Sequence, residues 1–316
     1  MNDLKNIKKI PGDASYRNFF RKKNNEYSSI IVYAKKEKFK NLIVYDAINR
    51  ILRKNKILAP DLYQENYKKN YIEIEDFGDD SIFKILNKKK NNKLLYFKKI
   101  LDLLNKLQLI KDRNIKNFNN KEYKIPLYSN KKLREEANLF CDWYLKKRLS
   151  KNKKNLFVKR FKKITKNLTL NLKLRNNVFV HRDFHVSNMM LIDKKIAIID
   201  SQDALIGNRA YDLASLIDDV RLKTSNSFKN KILNIYLNRQ TKIYKKKLIN
   251  DFEILSILRN LKIIGIFTRL AIRDNKRKYL KMIPYAWSLI NLRINKNQLF
   301  KELKDLLKEN FKKKLK

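Results

Sequence analysis

The 316-residue chain is poor in the residues that punctuate or cross-link a fold: it has four glycines, four prolines, two histidines and one cysteine. A lone cysteine, Cys141, excludes an internal disulfide framework and fits a reducing compartment. It falls in a helical apolar pattern with Leu145, where a core thiol is expected. No segment approaches the roughly 18 uninterrupted apolar residues of a membrane span. The opening Met1-Asn2-Asp3-Leu4-Lys5-Asn6 lacks the apolar stretch of a signal peptide, so a cytoplasmic protein with no membrane partner is expected. Acidic residues are also scarce, 31 against 76 lysines and arginines, which leaves a formal charge of +45. Such a charge ordinarily points to nucleic acid or an anionic surface. Here the cations run along the whole chain, with 58 lysines to 18 arginines, and arginine is the residue that reads bases or clamps phosphates in a fork. That distribution reads as a coding bias, and no specific nucleic-acid partner is expected. The charge still favours anionic ligands such as nucleotides, and salt-sensitive sticking to polyanions.

With 43% apolar residues the chain is long enough for a two-lobed unit with a sizeable core. Because punctuation is scarce, each instance is informative. Gly12-Asp13-Ala14-Ser15 reads as a turn between Ile10 and a strand over Tyr16 to Arg21, and Ser28 to Ala34 is a second β-rich run, giving an antiparallel start. Lys38 to Lys54 carries Leu42, Tyr45, Ile48, Ile51 and Leu52 at helical spacing, and Ala59-Pro60 closes that segment. Leu62-Tyr63 and Tyr71 to Glu75 form a further strand pair, ended by Asp76-Phe77-Gly78-Asp79-Asp80. Strand-rich sequence stops there, so a nucleotide-binding lobe over 1–78 and a helical catalytic and substrate lobe over 79–316 are expected. In the second lobe, Ser81 to Ile110 is helical with a break near Lys88 to Asn92, and Lys111 to Asn120 reads as a loop. Leu133 to Leu149 is a helix with Leu139, Phe140, Trp143 and Tyr144 on one face. Helices are expected around Tyr211 to Val220, Phe252 to Ile272, Tyr279 to Leu292 and Leu299 to Leu307. The whole is an α+β architecture with no internal repeat.

Both histidines lie in one stretch, His181-Arg182-Asp183-Phe184-His185-Val186-Ser187-Asn188, directly after the β-branched run Val178-Phe179-Val180. The pattern H-x-D-x-x-x-x-N supplies a carboxylate to orient an attacking hydroxyl and an amide oxygen for Mg²⁺, the needs of a phosphoryl-transfer loop. Twelve residues past Asn188, a second apolar run ends in Asp200, a carboxylate placed to serve as the main metal ligand. In this reading Asp183 positions the acceptor and takes its proton late, while Asn188 and Asp200 hold the cation. His181 and Arg182 brace the loop, and His185 either contacts substrate or packs. Asp203, in Asp200-Ser201-Gln202-Asp203-Ala204, either faces substrate or caps a turn. Asp212, at the start of a helix, is read as a buried carboxylate that holds the loop through backbone N–H groups. The Gly12-Asp13-Ala14-Ser15 turn either lies over phosphates with its N–H groups exposed or is a plain hairpin turn.

The segments GDASYRNFFR (Gly12 to Arg21), APDLY (Ala59 to Tyr63), EDFGDD (Glu75 to Asp80), LFCDWYL (Leu139 to Leu145), HRDFHVSNMML (His181 to Leu191) and IDSQDALIGNRAYDLASLIDDVR (Ile199 to Arg221) run in collinear order. Together they resemble the aminoglycoside phosphotransferase/choline kinase superfamily, which has a protein-kinase-like fold. The D-x-Q-D-A and G-x-R-A-Y-D-L stretches resemble its branch of bacterial cell-wall-recycling kinases, which act on the anomeric hydroxyl of N-acetylmuramate and N-acetylglucosamine. That resemblance implies ATP as phosphoryl donor, Mg²⁺, Asp183 as base, and Asn188 and Asp200 as metal ligands. It also implies that Glu75, Asp76 and Phe77 lie beside the adenine, that Gln202 belongs to the site, and that the product feeds peptidoglycan precursor supply. Superfamily kinases carry a lysine on the third strand paired with a helix glutamate, and Ser28 to Ala34 contains neither Lys nor Arg. Lys35, Lys36 or Arg17 is the candidate to reach the phosphates of the cofactor instead, with Glu37 or Asp46 the nearest acidic candidates.

Two rivals follow from the same residues. One is a kinase for choline, an amino alcohol or an aminoglycoside, whose cationic acceptor needs carboxylates or aromatic faces, here sought in Asp218-Asp219 and in Trp287 with Tyr285. The other is a degenerate kinase fold that only binds a nucleotide or nucleic acid, for which retention of Asp183, Asn188 and Asp200 together has no use.

Overall fold

The computed structural model describes residues 7–10, 17–23, 27–34, 40–88, 92–146 and 148–315. In chain order the elements are β1 (Ile7–Ile10), β2 (Asn18–Lys23), β3 (Ser28–Tyr33), α1 (Lys40–Lys54), β4 (Leu62–Asn66), β5 (Tyr71–Glu75), α2 (Ile82–Asn87), α3 (Lys93–Leu109), β6 (Asn114–Lys116) and β7 (Glu122–Lys124). There follow α4 (Asn130–Leu139), α5 (Lys151–Leu170), β8 (Asn176–Val180), β9 (Met189–Ile192), β10 (Lys195–Ile198), β11 (Leu205–Asn208), α6 (Ala210–Ile217), α7 (Asn226–Leu237), α8 (Lys242–Arg273), α9 (Ile283–Ile294) and α10 (Lys301–Phe311). Packing groups them into two compact units, one of Met1–Pro126 with His181–Leu205, the other of Leu127–Val180 with Ile206–Lys316. This grouping follows packing, whereas a boundary near 76–81 marks where strand-rich sequence gives way to helix.

In the first unit a five-stranded sheet runs in the order β1-β2-β3-β5-β4, antiparallel throughout. Val32, Ile72 and Ile74 of the sheet pack with Ala34 and with Leu42 and Tyr45 of α1. The i, i+3 spacing of those two α1 residues faces the sheet, and basic Arg53 and Lys54 close the helix at its negative end. Expected and observed elements agree for β2 through β5, for α1 and for the α2/α3 break. The expected loop over Lys111 to Asn120 instead contains β6, paired with β7. Asparagine supplies the turn chemistry there: Asn117 Oδ1 accepts the N–H groups of Asn119 and Lys121, and Asn120 adopts φ 57°.

The second unit is helical apart from the β8/β11 pair. The helix expected over Leu133 to Leu149 is shorter: α4 ends at Leu139 and one π-helical segment, Phe140–Tyr144, follows. Gly265 of α8 meets that junction so closely that an added Cβ would sit 2.3 Å from the Leu139 carbonyl carbon. Phe140, Tyr144, Phe157, Phe161, Trp287 and Phe311 form the aromatic core there, and Trp287 Nε1 donates to Tyr144 Oη at 3.2 Å. Cys141 is buried in the same core and burial pushes its thiol well up, so it is the expected inert core residue. Helices α5 and α7 were not expected. In α5 the buried Phe157, Phe161, Ile164 and Leu168 form a helical stripe inside a Lys/Asn-rich tract. Helix α7 is opened by Ser225, whose hydroxyl accepts the Phe228 N–H. Among the described residues no helix is long and apolar enough to cross a membrane.

Candidate active site

The first unit gathers Asp183, Asn188 and Asp200 through one short hairpin. Strands β9 and β10 pair antiparallel with Met189 opposite Ile198, and Asp193 and Lys194 at its tip both have positive φ, 46° and 65°, as a two-residue primed turn requires. Two four-residue strands, that turn and Ile199 account for the eleven residues between Asn188 and Asp200, which flank the open end of the hairpin. There the Ile199 N–H donates to the Asn188 carbonyl at 3.0 Å. The loop before it is fixed from within. The Asp183 carbonyl accepts from the His185 N–H at 3.0 Å and from Asn188 Nδ2 at 3.1 Å, which makes the Asn188 amide oxygen the atom able to meet a cation.

Asp200 has φ 63°, a backbone region that bulky L-residues occupy at a cost and that recurs at functional sites. Its Oδ1 accepts from Arg17 Nη2 at 2.8 Å and from Gln202 Nε2 at 3.0 Å. The Arg17 side chain is 5% exposed and that of Asp200 38%, so the carboxylate is pinned on one side and open on the other. Next to it, buried Ser201 donates to Asn49 Oδ1 at 2.6 Å, and Asn49 Nδ2 donates to the Pro60 carbonyl at 3.1 Å. Tyr45, one turn before Asn49 on α1, is buried, and burial pushes its phenol up to about 12, with Arg17, Asn49 and the Asp200 N–H pulling the other way. Tyr45, Asn49 and Ser201 were not anticipated as site residues. The signal available was a polar Asn49 four residues after Tyr45 on an otherwise apolar helix face.

His181 is fully buried, and burial holds its pKa below the usual value against the pull of Asp183 and Asp200. Its ring packs edge-on to Phe184. Arg182 has φ 73° and donates to the Asp203 carbonyl at 3.1 Å. Asp203 sits in a turn closed by the Ala204 N–H on the Ser201 carbonyl, with its carboxylate exposed. His185 is buried. Asp212 is buried in the first turn of α6, in the second unit.

Glu75 accepts the Asp61 N–H at 3.2 Å. Asp76 accepts from Arg21 Nη2 at 3.0 Å, Ser28 Oγ at 2.8 Å and the Gly78 N–H at 2.9 Å. Gly78, at φ 73°, makes the turn that lets Arg21 also reach Asp79 at 2.9 Å. The carboxylates of this segment shape it, so its backbone and Phe77 are the parts able to meet a base. Gly12, Asp13, Ala14, Ser15 and Lys35 lie outside the described residues, as do Lys36 and Glu37. Asp46 is already partnered: it takes Arg50 Nε at 2.9 Å and the Phe118 N–H at 2.9 Å. In the second unit Asp218 is buried against Arg293, Lys229 and Ser256, and Trp287 is buried in the core, so neither is an open surface for a cationic acceptor.

Among the described residues no group of three or more His, Cys, Asp or Glu could hold a metal by itself. One amide oxygen and one carboxylate suit Mg²⁺, which keeps waters and binds through one or two protein ligands plus substrate phosphates.

Residues 6–244 match the phosphotransferase enzyme family, and the chain belongs to it. It is 26% identical over 301 residues to the N-acetylmuramate/N-acetylglucosamine kinase of Pseudomonas aeruginosa, covering 93% of this chain and 86% of that one. It is 25% identical over 304 residues to the kinase of the same name from Pseudomonas putida, covering 94% and 86%. Among solved structures, amicoumacin kinase hAmiN in complex with AMP-PNP, Ca²⁺ and Ami shares the fold with a TM-score of 0.63 at 13% identity, over 92% of this chain and 89% of that one.

Proposed function

We propose that the chain transfers the terminal phosphoryl group of Mg²⁺-bound ATP to the anomeric hydroxyl of N-acetylmuramate or N-acetylglucosamine. The observation that carries the chemistry is the hairpin that holds Asn188 and Asp200 at one end, with Asp183 tied to Asn188 through its own backbone. Asp183 orients the acceptor hydroxyl and takes its proton, a role that needs position more than an altered acidity when the transition state is loose. Asn188 and Asp200 would hold the cation, which supplies charge neutralisation along the phosphates. Gln202, Ser201 and Asn49 keep the Asp200 carboxylate and backbone aimed. The main chain of Glu75 to Phe77 would face the adenine. The choice of sugar is supported by the names of the relatives that align over most of the chain. Burial of Asp218 and Trp287 counts against choline or an aminoglycoside.

The test is ATP consumption with Mg²⁺ over a panel of N-acetylmuramate, N-acetylglucosamine, choline and kanamycin, with the phosphorylated position read by ³¹P NMR. A sugar 1-phosphate is expected, with turnover cut by about 10²- to 10⁴-fold in Asp183→Asn. Turnover of choline or kanamycin alone would replace the acceptor, and turnover undiminished in Asp183→Asn would remove the assigned base.

A further inference from the structure

We propose that Arg17 supplies the phosphate-gripping cation that β3 lacks, resting on Asp200 when no nucleotide is present. This rests on the kinase reading above and deepens it.

Three observations converge on Arg17. In the β2/β3 register Asn18 pairs with Tyr33, so Arg17 is level with the far end of β3, beside Ala34. A cation entering from the neighbouring strand at that level covers the place where a third-strand lysine would act. Next, the helix contact such a lysine makes is replaced in kind. Asp46 is committed to Arg50 and Phe118, and Arg17 instead lies over the rings of Tyr45 at 5.9 Å and Phe19 at 5.7 Å. Two aromatic faces hold a planar guanidinium flat without neutralising it. Finally, the head group sits 2.8 Å from Asp200 Oδ1. A cation held by that carboxylate would bring the nucleotide's phosphates to the same open face of the site that the guanidinium borders.

The pair has a definite use in each state. Without nucleotide, Arg17 neutralises the exposed carboxylate. With nucleotide bound, Asp200 would hold the cation and the Arg17 guanidinium fork would be left to phosphate, a group that it matches with two parallel hydrogen bonds.

Affinities of the full chain for ATP, ADP, AMP and adenosine, measured by calorimetry with Mg²⁺ and with EDTA, test this in the wild type, Arg17→Met and Arg17→Lys. Arg17→Met should weaken ATP by about 10- to 100-fold while leaving AMP and adenosine within about twofold. Arg17→Lys should recover only part, since it lacks the fork. Equal weakening of ATP and adenosine, or an unchanged affinity for ATP, would overturn the assignment. The ATP-to-adenosine ratio is insensitive to how much of each variant folds. If Arg17→Met loses ATP selectively and the wild type phosphorylates no sugar, the clamp stands and the acceptor reading fails. If it binds no ATP at all, both fall.

Discussion

Two arginine–aspartate pairs of nearly the same length do opposite work in this molecule. In the first unit Arg17 meets Asp200 at 2.8 Å, with the carboxylate 38% exposed. In the second, Arg293 meets Asp218 through both oxygens at 2.9 and 3.0 Å, with side chains 1% and 0% exposed. Lys229 approaches the same Asp218 carboxylate at 3.6 Å and Ser256 Oγ donates to it at 2.6 Å. Every lone pair of Asp218 faces protein, so that group is fixed, and removing a partner leaves an uncompensated charge in a medium that cannot solvate it. Asp200 has protein on one side and an open face on the other, so its partner can be exchanged for another cation. Distance alone does not separate a locked pair from one with an open face; the exposure of the carboxylate does.

The largest expected effect that tests this contrast is Arg293→Met, which keeps most of the stem and removes the charge. It should lower stability by about 3–5 kcal/mol in denaturant unfolding, toward the lower end because Lys229 remains. A loss below about 1 kcal/mol would mean that Asp218 is solvated after all. The acid side offers a second reading of the same group. Burial pushes the Asp218 carboxyl up, but Arg293, Lys229 and the Ser256 hydroxyl outweigh it and hold the carboxyl below its ordinary value. A carboxyl lowered on folding gives stability that is complete above its unfolded value, near 3.9, and is lost as pH falls through the folded one. The stability gap between wild type and Asp218→Asn should therefore be flat from pH 7 to 5 and narrow below about pH 4. A gap that closes between pH 7 and 5 would contradict the direction.

Next in size is Gly265→Ala. Within a helix that exchange alone gains about 1 kcal/mol, yet here the new Cβ would lie 2.3 Å from the Leu139 carbonyl carbon and 2.6 Å from the Phe140 nitrogen. Those are backbone atoms that cannot rotate aside, so a net loss of about 1–3 kcal/mol is expected, read as a drop in melting temperature. A stabilised variant would show that α4 and α8 can part without cost.

What the chain reveals in advance follows the range of the interactions involved. The hairpin that sets Asn188 and Asp200 apart is local, carried by two short apolar runs, and its spacing is readable directly. The α+β class, the strand pairs around Tyr71 to Glu75 and the buried helix-start Asp212 are readable for the same reason. Helix α5 is hidden because its Phe157, Phe161, Ile164 and Leu168 stripe is diluted by lysine and asparagine, and β6 because asparagine rather than glycine makes its turn. The supports of the site are beyond local reading: Ser201 and Asn49 are 152 residues apart, and Arg17 and Asp200 are 183 apart. Nothing in the residues around Tyr45 distinguishes an aromatic that only fills a core from one that also floors a guanidinium.

The smallest expected effect is the most discriminating. Arg17→Met in the nucleotide-free chain keeps an apolar stem and removes the guanidinium, with its place over Phe19 and Tyr45 and its ion pair to Asp200. Because that carboxylate can turn to water, the cost should be about 1 kcal/mol or less, several-fold below that of Arg293→Met measured in the same way. Equal losses for the two variants would mean that Asp200 is locked as firmly as Asp218. An arginine so locked could not leave for a phosphate, whereas a small cost is what an exchangeable partner requires.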